Sequence, residues 1–126
     1  MKKLIQFILL WGPVIFWCGL IFQLSSAPIP SIGQTYWQDW WIKNLAHIVE
    51  YAVLCWLIFR AINSAREKKN WFMPLLFSVI YAISDEFHQS FVFGREAWWG
   101  DVAFDTLGAL LALFISSSIF NKKIRN

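Results

Sequence analysis

SDEFHQSFVFGREAWWGDVAFD, residues 84–105, places Asp85, Glu86, His88, Arg95, Asp101 and Asp105 between two long apolar runs. Those runs suit a bilayer core, where an ionised side chain costs about 2.5–3.5 kcal/mol even on the lenient insertion scale. Charges in such a setting must be paired or solvated, and each is a functional-site candidate by default. The fold turns on whether this stretch joins two membrane helices or belongs to a soluble domain.

The rest of the chain favours the membrane. Its 126 residues leave room for one domain, and 58% hydrophobic, 19% aromatic and 15% charged residues depart far from soluble composition. The net charge of +3 does not point to nucleic acid, because the basic residues sit in short clusters at the ends of apolar runs, where orientation signals belong. Cys18 and Cys55 both lie inside apolar segments, which argues against a disulfide framework or a cysteine zinc site. There is no Gly-rich phosphate loop, activated serine elbow or heptad repeat.

Four apolar runs follow in order. The first, 4–23, has the roughly 20 residues needed to cross a bilayer. Ser25, Ser26 and Ala27 offer a signal-peptide alternative, but the run exceeds the roughly 7–15 residues of a signal core, so a retained helix is expected. Pro13 kinks it, which membranes tolerate when a neighbour satisfies the freed carbonyl. Residues 25–41 read as a loop ending in an aromatic belt of Trp37, Trp40 and Trp41. Spans at 45–62, 71–93 and 102–120 complete the pattern, with residues 94–100 turning the chain at Trp98 and Trp99. The expectation is an all-α integral membrane protein, a single domain over 1–126 with four transmembrane helices in a bundle.

Positive charges set its orientation. Lys2, Lys3, Arg60, Arg66, Lys68, Lys69, Lys122, Lys123 and Arg125 fall on one side, and Lys43 and Arg95 on the other. The positive-inside rule then puts both termini in the cytoplasm. With that topology the start of span two, the end of span three and the start of span four meet near the outer face. Each is phased as a helix: Lys43, His47, Glu50 and Leu54 form one stripe; Asp85, His88 and Gln89 share a face with Glu86 beside it; Asp101, Asp105, Gly108 and Ala112 form a third. Gly108 and Ala112 should let another helix approach closely.

KNLAHIVEY at Lys43–Tyr51, SDEFHQSFVFGR at Ser84–Arg95 and DVAFDTLGALLA at Asp101–Ala112 together resemble the VanZ-like family of small bacterial membrane proteins. That family is named for an accessory protein of glycopeptide resistance that raises tolerance to teicoplanin. The resemblance runs from about Lys43 to Ala112, and it departs at Phe93, where members commonly have Pro, and at Asp105, where they often have Asn. It implies a four-helix fold in the bacterial cytoplasmic membrane and a cell-envelope role rather than a defined reaction.

Three readings of the polar stripes follow. In the first, an outward-facing pocket binds an anionic envelope lipid headgroup or a lipid-linked cell-wall precursor or glycopeptide, with Lys43 and Arg95 as contacts. Asp85, Glu86, Asp101 and Asp105 orient them, and His47 and His88 add switchable charge beside Glu50 and Gln89. In the second, His47, Glu50, Asp85, Glu86 and His88 supply the acid and base of a membrane-embedded hydrolase or transferase acting on a lipid-linked substrate. His and carboxylate ligands also suit zinc or manganese, although no HExxH signature is present, and neither a metal nor another cofactor is expected. In the third, the charges form an ion-pair network that holds the helices in register. Membrane lipids are the expected partners and nucleic acid is not.

Overall fold

The computed structural model describes residues 1–125, with side chains through Asn121. The side chains of Lys122, Lys123 and Arg125, which enter the orientation argument, lie outside the described residues. Four helices form: α1 (Lys2–Ser25), α2 (Tyr36–Asn63), α3 (Phe72–Gln89) and α4 (Gly100–Arg125). Three of them, α1, α2 and residues 100–121 of α4, are long and apolar enough to cross a membrane. The shorter α3 ends in Asp85, Glu86, His88 and Gln89, and its composition does not reach that standard.

Burial is inverted relative to a soluble protein. Phe7, Ile15 and Phe16 of α1 and Phe114 of α4 are more than half exposed, while Glu86, Gln89, Asp101 and Asp105 are at most 2% exposed. Polar groups therefore face the bundle interior and apolar side chains face outward, as membrane helices require.

The central helix is α2, which packs against all three others and most extensively against α4. Small residues make that contact possible. A Cβ on Gly108 would stand 2.1 Å from the Ile48 carbonyl oxygen, so the two backbones meet where the sequence offers no side chain. Cys55, Ala109, Ala112 and Leu113 continue the seam. On the other side of α2, Ile21, Tyr51, Leu54, Ile58 and Ala82 fill the junction with α1 and α3.

The longest departure from the expected elements is at the start of α2. The helix begins at Tyr36 rather than near residue 45, so Trp37, Trp40 and Trp41 are helical rather than the end of a loop. A capping box explains the early start: Thr35 Oγ1 accepts from the Gln38 N–H at 3.3 Å, and Gln38 Oε1 accepts from the Thr35 N–H at 3.2 Å. Asp39 fixes the approach by accepting from the N–H groups of Ile32 and Gly33, at 2.9 and 2.6 Å, and from the Ser31 hydroxyl. At the other extreme α3 stops at Gln89, short of the expected 93, and the chain turns through Gly94 at φ +80°.

α1 buries only Val14, Ile21 and Ser25, yet hydrogen bonds hold it along its length. Pro13 has no N–H for the carbonyl of Leu9, and Arg60 Nη2 donates to that oxygen at 3.1 Å. Trp17 Nε1 donates to the Glu50 carbonyl at 2.9 Å, and the Tyr81 hydroxyl to the Cys18 carbonyl at 2.6 Å. Between α2 and α3, Asn63 Nδ2 donates to the Asn70 carbonyl at 2.9 Å and Asn63 Oδ1 accepts from the Asn70 N–H at 2.6 Å. Lys69 Nζ adds a bond to the Asn63 carbonyl at 3.0 Å, closing the turn.

Candidate functional site

The end of the bundle opposite the Asn63–Asn70 turn gathers the polar stripes. On α2, Lys43, His47 and Glu50 recur every third or fourth residue and so share one face. Asp101, in the first turn of α4, and Asp105 one turn on lie alongside them. Lys43 Nζ is 2.7 Å from Asp101 Oδ2, and His47 Nδ1 is 2.8 Å from Asp105 Oδ1. His47 Nε2 stands 3.7 Å from Asp101 Oδ2, so the four side chains form a ladder of basic and acidic groups between the helices. The start of α4 also favours a carboxylate through its helix dipole. With Asp105 as an ionised acceptor, the His47 proton sits on Nδ1.

A second network joins α1 to α3. Asp85 Oδ1 accepts from the Ser25 hydroxyl at 2.6 Å, and Asp85 Oδ2 from Gln89 Nε2 at 2.9 Å. Arg95, just past the α3 turn, donates through Nε to the Ser25 carbonyl at 3.3 Å. Ser25 is thus read from both ends, by α3 through its hydroxyl and by the following loop through its backbone.

Between the two networks lies a cavity of about 340 Å³. Lys43, His47, Glu50, Asp85, Gln89 and Arg95 line it together with Ser25. Apart from Gln23 the remainder of its wall is apolar, from α1, the segment 27–32 and the start of α2, including Leu24, Pro28, Ile29 and Ile42. A small, largely apolar cleft with a few convergent polar groups is the usual form of a ligand site. Lys43 also borders a neighbouring cavity of about 380 Å³ that Asp101 and Trp98 line, so the Lys43–Asp101 pair stands between the two.

Not all the expected site residues face this cavity. Glu86, His88, Asp101 and Asp105 are absent from its wall. Glu86 is rotated away from Asp85 by one helical step and accepts the Trp98 N–H, which ties the loop before α4 to the end of α3. His88 stacks on Phe22 at 4.5 Å between centroids, its Nε2 3.1 Å from the Ser26 hydroxyl. Among the described residues no group of three or more His, Cys, Asp and Glu side chains could hold a metal ion. Ser25 and Ser26 are the site residues that spacing alone misses. Their only signal is a pair of hydroxyls at the end of the first apolar run, opposite the acidic end of the third.

Several polar atoms around the cavity have no protein partner. Buried Gln89 Oε1 and Arg95 Nη1, on side chains that line it, make no hydrogen bond, and neither do the nearby Tyr51 Oη and Asp101 Oδ1. Among the described residues the Glu50 carboxylate also has no side-chain partner within hydrogen-bond or ion-pair distance, although it borders the cavity. The site therefore holds unused donors and acceptors at once.

No curated protein and no solved structure matches the chain. The family model described as VanZ/LLP1 matches residues 10–121, which takes in most of α1 and all of α2, α3, the cavity and the α2–α4 ladder. A match over that much of the sequence shows that the chain belongs to the VanZ/LLP1 family.

Proposed function

We propose that this is a bacterial cytoplasmic-membrane protein whose four helices all cross the bilayer, with both termini in the cytoplasm and the cavity opening toward the outer leaflet. There it binds the phosphate-bearing headgroup of an envelope lipid or lipid-linked cell-wall precursor. Arg95 carries the reading: it is anchored through Nε to the Ser25 carbonyl, while its Nη1 remains without a partner at a largely apolar cavity. A guanidinium held by one edge offers the other to a phosphate oxygen. The apolar wall suits the first carbons of a lipid tail. Lys43 is already matched to Asp101 and contributes steering more than an uncommitted charge. Greater tolerance of teicoplanin in cells is the proposed consequence, by analogy with the protein that names the family.

The test is lipid retention. The purified full-length chain should carry anionic phospholipid through detergent exchange, detected by native mass spectrometry, and Arg95→Gln should reduce the retained fraction about tenfold, the effect of losing roughly 1.4 kcal/mol. Equal retention by the two proteins would remove the basis of the reading.

Acid–base catalysis on a lipid-linked substrate is a second reading, favoured by the His47–Asp105 pair, which orients an imidazole that lines the cavity. It requires that a lipid-linked substrate be chemically altered by the wild type and left intact by His47→Gln. Intact lipid recovered from both proteins excludes it.

A further inference from the structure

The charges around the cavity do not add up to a site for a simple anion. Lys43 is matched by Asp101 at 2.7 Å, so Arg95 is the one cation lining the cavity without a side-chain counter-charge among the described residues. Against it stand two carboxylates in the same wall, Glu50 and Asp85. Asp85 is held in place by Ser25 and Gln89, but hydroxyl and amide donors leave its charge uncancelled. Among the described residues Glu50 has no donor and no ion-pair partner within 4 Å. Gln89, fully buried, turns its Nε2 to Asp85 and leaves Oε1 as an acceptor with nothing to accept. That orientation is fixed, because the opposite one would set an amide oxygen against a carboxylate. A buried acceptor without a donor keeps the cost of its lost hydration. A phosphate alone would answer Arg95 and leave Glu50 and Gln89 facing a further negative charge.

Resting on the phosphate-headgroup reading above, we propose that the ligand is zwitterionic: an aminoalkyl phosphate whose phosphate meets Arg95 and whose primary ammonium donates to Glu50 and Gln89 Oε1, with Asp85 as the adjacent counter-charge. An ammonium brings three N–H donors and no acceptor, which matches a wall with acceptors to spare. A trimethylated ammonium has the charge but no N–H to donate, and a glycerol headgroup has donors but no positive charge. The same chemistry is available from a phosphatidylethanolamine in the membrane and from free O-phosphoethanolamine.

Discrimination among headgroups tests this. The full-length chain is offered equimolar phosphatidylethanolamine, phosphatidylglycerol and phosphatidylcholine with identical acyl chains, and bound lipid is counted by native mass spectrometry. Phosphatidylethanolamine should be favoured over each of the others about tenfold. Glu50→Gln, close in shape, should abolish that preference without lowering phosphatidylglycerol binding, and Glu50→Asp should restore part of it. Arg95→Gln should weaken all three. Thermal unfolding with O-phosphoethanolamine identifies the source: stabilisation means that the headgroup suffices, and its absence alongside lipid preference means that the lipid is the ligand. Either result supports the proposal. Phosphatidylglycerol bound as well as or better than phosphatidylethanolamine overturns the ammonium contact and leaves the phosphate reading standing, as does a preference unchanged in folded Glu50→Gln. Binding of all three no better than diacylglycerol overturns both.

Discussion

His47 Nδ1 lies 2.8 Å from Asp105 Oδ1, one helical turn deeper than the Lys43–Asp101 pair, and so joins α2 to α4 by a hydrogen bond between two buried side chains. Asp105→Ala removes the acceptor and leaves a buried ring N–H unpaired, at a cost of about 1–3 kcal/mol. Asp105→Asn retains an oxygen for that N–H and should lose less than half as much. Thermal unfolding in detergent distinguishes the two, and equal losses would mean that the bond contributes little to holding the helices.

At Gly108 the neighbouring atom is the Ile48 carbonyl oxygen, part of a backbone that cannot move aside cheaply. Even Gly108→Ala should therefore destabilise the bundle, by about 1–3 kcal/mol, despite the better helix propensity of Ala. Gly12 and Gly19 in α1 have nothing within 4 Å of an added Cβ, so the same change there should be neutral or slightly stabilising. Similar effects at all three positions would contradict the close approach of α2 and α4.

Pro13 and Arg60 should be energetically coupled. Arg60→Ala strands the Leu9 carbonyl because Pro13 offers it no N–H. In a Pro13→Ala background the helix supplies that N–H itself, and the same Arg60 change should matter less. A double-mutant cycle on unfolding should give a coupling of about 0.5–2 kcal/mol, with additivity as the opposing result.

Ser25→Ala takes one of two donors from Asp85. The loss should be about 1–2 kcal/mol in stability and should largely vanish when Asp85 is already Asn, which has less need of a second donor. Unfolding of the four proteins in that cycle measures it, and a Ser25 effect independent of residue 85 would assign the serine to packing alone.

Sidedness can be read with single cysteines after Cys18 and Cys55 are changed to Ala. A cysteine at exposed Ala65 should resist a membrane-impermeant maleimide in intact cells, whereas one at exposed Gln34 or Ala97 should react. Labelling at position 65 from outside would invert the orientation.

The meeting of the α2 and α4 stripes was legible because span order and helical spacing both act on residues whose burial charge makes compulsory. Neither constraint gives the pairing of Lys43 with Asp101 or of His47 with Asp105, which depends on how the two helices are rotated about their axes. Ser25 and Ser26 were not legible: hydroxyls at a helix end are common, and their partners lie a whole bundle away in sequence. Glu86 and His88 show the limit of spacing. Adjacent residues on a helix point about 100° apart, and which of them meets a cavity depends on how the neighbouring helices are rotated. The early start of α2 was written in Thr35 and Gln38, a reciprocal cap that the nearby tryptophans obscured by suggesting an interface loop.

The Asn63–Asn70 clasp bears on how the chain is made. Its bonds are local, so closing the turn carries little entropic penalty and needs nothing that follows residue 70. During synthesis α2 and α3 can pair as a hairpin before α4 exists. On the four-span reading this gives α3, which falls short of the span standard, an escort: it enters the bilayer beside α2, with Ser25 of α1 already present to bond Asp85, instead of having to partition alone.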